Sequence, residues 1–317
     1  MIDVPVGPVA IAAIAGLFGL LIGSFLNVVI FRVPAMIERD NVVGVVDWLQ
    51  DVETFVDEKA AHVEPEKRAA LAKGLRATEP AFRALADALP DENLVRPGSR
   101  CGACGHRIGA LENIPVVSYL VLRGRCSACK APISLRYPAI ELLTGVLFAA
   151  IAWRFGPTAQ MLLSLVLVAA LVGLTFMDAD AMLLPDVITL PLMWIGLLWA
   201  AVGGPVSLRD AVWGAAAGYL ALWSVFWIYK LLFHKEGFGY GDFKLLAALG
   251  AWFGWQALLP IVLLSALVGA AIGIVLIATG RRQFATRIAF GVYLAPAGML
   301  MLFVGRVLIE LIVPTLA

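Results

Sequence analysis

Apolar positions in this chain come in long unbroken runs, not in the alternation of a half-buried strand or the stripe of a surface helix. The first run covers residues 9–31 and ends in Arg32-Val33-Pro34. Seven more follow almost without pause after Pro138, at about 139–153, 160–177, 187–202, 211–232, 243–255, 257–279 and 288–313. Runs of this length suit helices in a bilayer, where every backbone N–H and C=O must be satisfied within the segment. The pattern therefore predicts an all-α polytopic membrane protein with about eight transmembrane helices. The sixth run is short and contains Lys244, so it is expected to be buried in the bundle or to end early. Gly19 and Gly23 form a small-residue face in the first run, where another helix can approach closely. Asn27, inside the same run, reads as a contact between helices.

Between the first and second runs the chain turns polar. The expected organisation is a first span at 1–34, a cytoplasmic domain at 35–138 and a core of about seven spans at 139–317. Within the polar domain, residues 35–98 form a charged insert. Leu71, Leu75, Phe82, Leu85 and Leu89 recur there at helical spacing, which predicts an amphipathic helix broken near Pro80 and carrying no chemistry. Residues 99–138 hold all four cysteines: Cys101 and Cys104, twenty-one residues, then Cys126 and Cys129. Two such pairs can surround one zinc with four thiolates. A complete coordination shell makes that zinc structural, with zinc favoured over disulfides on a reducing face. His106 reads as a surface histidine beside them.

Composition agrees. The chain is 61% apolar and 15% charged, with mean hydropathy +0.90, whereas a soluble protein is nearer half apolar and a quarter charged. Met1-Ile2-Asp3 lacks the basic start of a cleavable signal. Basic residues are spread over separate loops, which speaks against nucleic acid as a partner and leaves membrane lipid as the general one. Their distribution sets an orientation. Arg123, Arg125, Lys130 and Arg136 precede the second span, Lys230 and Lys235 follow the fifth, and Arg281, Arg282 and Arg287 separate the last two. The alternate loops carry little beyond Arg154 and Arg209, so the basic loops are expected in the cytoplasm with both termini outside.

Four acids lie at the ends of apolar runs on that face: Asp178, Asp180 and Asp186 after the third span, and Asp242 in Gly239-Tyr240-Gly241-Asp242-Phe243-Lys244. A carboxylate at a membrane boundary loses hydration and normally faces a cavity or a polar partner. Two that meet can share a proton and act as an acid–base pair. Asp186, opening a run after Pro185, reads first as a helix cap, whereas capping alone does not call for the glycines around Tyr240. Gly239, Gly241 and Lys244 are expected to shape an active-site loop. Spacing alone does not say which acids touch, and a transporter or assembly scaffold with intramembrane acids is the rival reading.

These motifs together resemble the bacterial type IV prepilin peptidases, bifunctional leader peptidase/N-methyltransferases of the GxGD aspartyl type. The resemblance rests on Gly23-Ser24-Phe25-Leu26-Asn27 with Arg32 and Pro34, on Glu112-Asn113-Ile114-Pro115 within the cysteine segment, and on Arg136-Tyr137-Pro138 with Glu141. It continues in Asp178 with Leu183-Leu184-Pro185-Asp186 and in Gly239-Tyr240-Gly241-Asp242. It spares the insert around 36–95. It departs near the last span, where the family's Pro-Phe-Gly-Pro is replaced by Ala289-Phe290-Gly291-Val292. The resemblance implies a catalytic pair, Asp178 and Asp242, in the bacterial inner membrane. The implied substrates are type IV prepilins and type II secretion pseudopilins, cut after a glycine behind a short basic leader. It also implies N-methylation from S-adenosylmethionine, with Gly124-Arg125 standing where relatives carry Gly-Lys. It sets no oligomeric state.

Overall fold

The computed structural model describes residues 7–234, 239–279 and 289–312. Lys235, Arg281, Arg282 and Arg287, used for orientation, and the outer edges of the last apolar run lie outside the described residues, as does Met1-Ile2-Asp3. Among the described residues every regular element is helical. The order is α1 (Pro8–Gln50), α2 (Val52–Lys59), α3 (Pro65–Arg76), α4 (Glu79–Ala88), α5 (Val117–Val121), α6 (Arg136–Phe155), α7 (Ala159–Ala181), α8 (Asp186–Ala201), α9 (Leu208–Phe233), α10 (Tyr240–Phe253), α11 (Leu258–Ala278) and α12 (Gly291–Ile312). Six of them are long and apolar enough to cross a membrane: α1, α6, α7, α9, α11 with the turn before it, and α12. The other two apolar runs form α8, with 16 residues, and α10, with 14, both short of the roughly 20 that a full crossing needs.

The chain forms two compact units, one made of Met1–Ile30 with Arg100–Ala317 and the other of Phe31–Ser99. In the smaller unit the first helix does not stop at Arg32-Val33-Pro34, as its sequence suggests, but continues to Gln50. Proline removes one backbone bond. Burial of Val46 and Leu49 supports the helix beyond it. The break expected near Pro80 falls just before it, at Ala77-Thr78, and Pro80 sits in the first turn of α4, where its missing N–H costs nothing. The predicted apolar stripe is not the core of this unit: Leu71, Phe82 and Leu85 are exposed, and Val52, Val56 and Ala72 form a small cluster with Ala60 and Leu75. The Arg32 guanidinium donates to the carbonyls of Asn93 and Pro97, both at 2.7 Å, and ties the returning strand of chain to α1.

In the larger unit, glycines set the helix spacing. A Cβ on Gly19 would stand 2.9 Å from the Gly145 Cα, and one on Gly23 2.7 Å from the Glu141 Cα, so α1 and α6 touch through backbone. α9 and α10 meet the same way. Gly214 and Gly250 face each other's carbonyls, and a Cβ on Gly218 would lie 2.7 Å from the Leu246 carbonyl oxygen. α10 is thereby wedged between α8 and α9, with every residue from Asp242 to Trp252 buried except Lys244. The Trp252 indole N–H closes the α8 side by donating to the Leu192 carbonyl at 2.8 Å. This shielding explains how a short helix bearing two charged residues fits among apolar ones.

Candidate active site and cysteine cluster

Three helix ends converge on one point. α7 ends when Met182 takes a left-handed conformation, φ 50°, and its N–H bonds the Asp178 carbonyl at 3.0 Å. The Asp178 side chain thus projects from the last turn of α7. α10 opens behind Gly239, whose N–H donates to Asp242 Oδ2 at 3.1 Å. α12 begins at Gly291, and the Val292 N–H donates to Asp178 Oδ2 at 2.9 Å. Gly291 stands beside the pair, and Asp178 is near enough to Asp242 for its charge to bear on it. Asp178 and Asp242 are only 4% and 6% exposed, and Asp242 Oδ1 is a buried oxygen without a hydrogen-bond partner among the described residues. Free N–H groups at a helix start, with the positive end of its dipole, suit a buried anion.

The other two acids are accounted for differently. Asp180 is gripped by Arg136 through two bonds of 2.7 and 2.6 Å, and that guanidinium lies over the Phe176 ring. Asp186 makes no capping bond at α8; it accepts from Lys244 Nζ at 2.6 and 2.7 Å. Lys244 is itself a residue of α10, engaged with Asp186. A side chain at Gly291 would come within 2.7 Å of Asp178 Oδ2. One at Gly241 would meet Leu184 Cβ at 2.7 Å, so that glycine lets α10 pack on the loop after α7. At Gly239 a Cβ would meet nothing nearer than 3.6 Å among the described residues.

The four cysteines form a second cluster, with all four sulfurs within 4.8 Å of one another. The two knuckles are built alike. Cys101 N–H bonds the His106 carbonyl and Gly105 N–H the Cys101 carbonyl; Cys126 N–H bonds the Ala131 carbonyl and Lys130 N–H the Cys126 carbonyl. In each, the fourth residue after the leading cysteine adopts positive φ: Gly105 at 71° and Lys130 at 62°. Backbone N–H groups of Cys104 and Ala103 draw the Cys101 thiol down to about 6, and those of Cys129 and Ala128 lower Cys126. Cys104 is pushed up to about 12: the His106 N–H opposes the rise, and crowding by Cys129 and burial outweigh it. Thiols that cannot all ionise together, placed so closely, form a donor set for a metal cation. His106 is not a free surface histidine. Its Nε2 lies 3.2 Å from Ser127 Oγ and 3.3 Å from Glu112 Oε2, joining the knuckles. Bonds from Ser127, the Gly109 N–H and His106 hold the Glu112 carboxyl down to about 2. The sequence signal for Glu112 was its place in Glu112-Asn113-Ile114-Pro115. Gly124 is buried at φ 65° with Tyr119 Oη 2.7 Å from where a Cβ would stand, and Arg125 beside it is exposed.

Fold and site together define a multi-pass membrane protein with a buried carboxylate pair and a four-thiol cluster. Residues 17–155 match the bacterial peptidase A24 N-terminal domain, and residues 165–274 match the type IV leader peptidase family. A prepilin leader peptidase/N-methyltransferase of Aeromonas hydrophila is 50% identical over 289 residues, covering 91% of this chain and 89% of that protein. Proteins of the same name from Stutzerimonas stutzeri and Pseudomonas aeruginosa are each 46% identical over 298 residues, covering 94% of this chain and 92% of theirs. The chain belongs to the type IV leader peptidase family. No solved structure matches it.

Proposed function

We propose that this protein is a membrane-embedded aspartyl endopeptidase that removes the leader of type IV prepilins and pseudopilins after a glycine and then methylates the new N-terminal residue. The observation that carries the peptidase reading is the sorting of the four acids. Asp180 and Asp186 are each neutralised by a cation, whereas Asp178 and Asp242 are buried at the start of α12 and, among the described residues, have no ion pair. In the reaction one of the pair, ionised, takes a proton from the attacking water while the other, protonated, polarises the scissile carbonyl. Lys244 and Arg136 hold the neighbouring acids away from the pair, and Gly241 seats α10 against Leu184 so that Asp242 can reach it.

The site faces the cytoplasm of the inner membrane, on the side of the basic loops, with lipid around the spans. Residues 99–138 form the cytoplasmic metal module, 35–98 the insert, and 139–317 the peptidase core after the first span at 1–34. Cys101, Cys104, Cys126 and Cys129 would hold a structural zinc, which supplies a cross-link and no open coordination position. S-adenosylmethionine is the methyl donor, and Gly124-Arg125 in the same module is the assigned contact.

The test is cleavage of a prepilin by the full-length protein in liposomes, beside Asp178→Asn and Asp242→Asn. Both variants are expected to stay folded and lose cleavage; cleavage by either one overturns the pair. Mass spectrometry of the product with added S-adenosylmethionine reads methylation separately, as a gain of one methyl group.

A further inference from the structure

The segment between the two cysteine pairs carries an apolar face outside any span. Leu111, Ile114, Val117, Leu120 and Val121 are gathered in the eleven residues of α5 and the turn before it, and Val117 and Val121, four apart, lie on one side of α5. All are exposed: Leu111 is 82%, Leu120 68% and Val121 74% accessible. Their inward neighbours are engaged, with Tyr119 against Gly124 and its hydroxyl toward the Ile133 carbonyl. A contiguous exposed apolar patch is unusual unless something covers it.

Two further observations say what does. The first is position. The Val116 N–H donates to Glu141 Oε2 at 2.7 Å, and Glu141 is buried in the second turn of α6. Five residues into a helix is about 8 Å from its start, so α5 is pinned beside the point where α6 passes from headgroups into hydrocarbon. Val116, a β-branched residue, holds φ 61° and ψ −46° beside this bond, a positive-φ conformation that needs support from its surroundings. The second is charge. Arg123 and Arg125 are exposed immediately after the patch, as basic residues flank apolar side chains that enter an anionic membrane surface.

We infer that α5 and the turn before it form an interfacial anchor, whose apolar face enters the headgroup boundary of the bilayer and holds the cysteine module flat on the membrane surface. The anchor uses neither aspartate, and it does not depend on the reaction proposed above.

The experiment is photo-crosslinking of the full-length protein in liposomes of phosphatidylethanolamine and phosphatidylglycerol. p-Benzoylphenylalanine is placed at Leu120 or at Val117, at Leu267 as an exposed position within a span, and at Ala128 as an exposed position in the second knuckle. Lipid adducts at 120 and 117 should approach the yield at 267 and exceed that at 128 at least tenfold. Adducts of 120 and 117 to another protein chain, including a second copy, overturn the anchor. So does a lipid yield no higher than at 128.

Discussion

Val292 stands where the family's last-span motif carries proline, and the difference is one backbone N–H. That N–H donates to Asp178 Oδ2 at 2.9 Å. Proline fits the first turn of a helix, so Val292→Pro should leave α12 intact while deleting the donor. We expect prepilin cleavage to slow severalfold in Val292→Pro and to be unchanged in Val292→Ala; equal rates for the two would make the bond dispensable. Neighbouring acids give the opposite prediction. The Arg136–Asp180 pair is over a third exposed on both sides, which limits it to about 0–1 kcal/mol of stability. Asp180→Asn should therefore keep cleavage near the parent rate, and loss of activity there would place a third acid in the chemistry. Spacing alone did not say which of the four acids meet, and only the resemblance picked out Asp178 and Asp242. The structure adds a physical difference, Arg136 beside Asp180 and Lys244 beside Asp186, and those partners come from other helices.

At the scale of elements, short glycine-lined contacts decide which helices are neighbours. Gly214 and Gly250 bring α9 and α10 together at backbone distance, and a Cβ at 214 would also lie 2.7 Å from the Gly250 carbonyl carbon. Gly214→Val is expected to cost about 1–3 kcal/mol or more, because backbone cannot yield as a side chain does. A thermal melt in detergent would show this as an earlier transition and lowered cleavage together. Gly74, in α3, has nothing within 4 Å of its would-be Cβ. There Gly74→Ala should stabilise the helix by about 1 kcal/mol, so a destabilised Gly74→Ala would point to an unseen contact. The Gly19 and Gly23 face was readable as a stripe of small residues. The Gly214–Gly250 contact was not, because its two halves lie in different helices.

On the scale of the whole molecule, the cysteine cluster and the paired aspartates rest on different supports. The knuckles are short loops held by their own backbone bonds and by the Glu112–His106–Ser127 contacts, whereas the aspartates are fixed by α7, α10 and α12. Chelation should therefore open residues 101–130 to limited proteolysis while leaving the thermal transition of the helical bundle in place. Simultaneous loss of both would mean that the module carries the bundle.

The amino-acid sequence by itself determined the apolar helices, the two cysteine pairs and the family, because each is written in local order: run length, spacing and contiguous motif. It also marked the helix starts near Asp186 and Asp242. The tertiary structure alone decided that α1 runs past Pro34, that Leu71 and Phe82 stay exposed, and that Lys244 serves Asp186. It also placed the N-terminus of α12 against Asp178 and Asp242. Those outcomes depend on which surfaces remain for a side chain once distant helices have packed, and no window along the chain contains both partners.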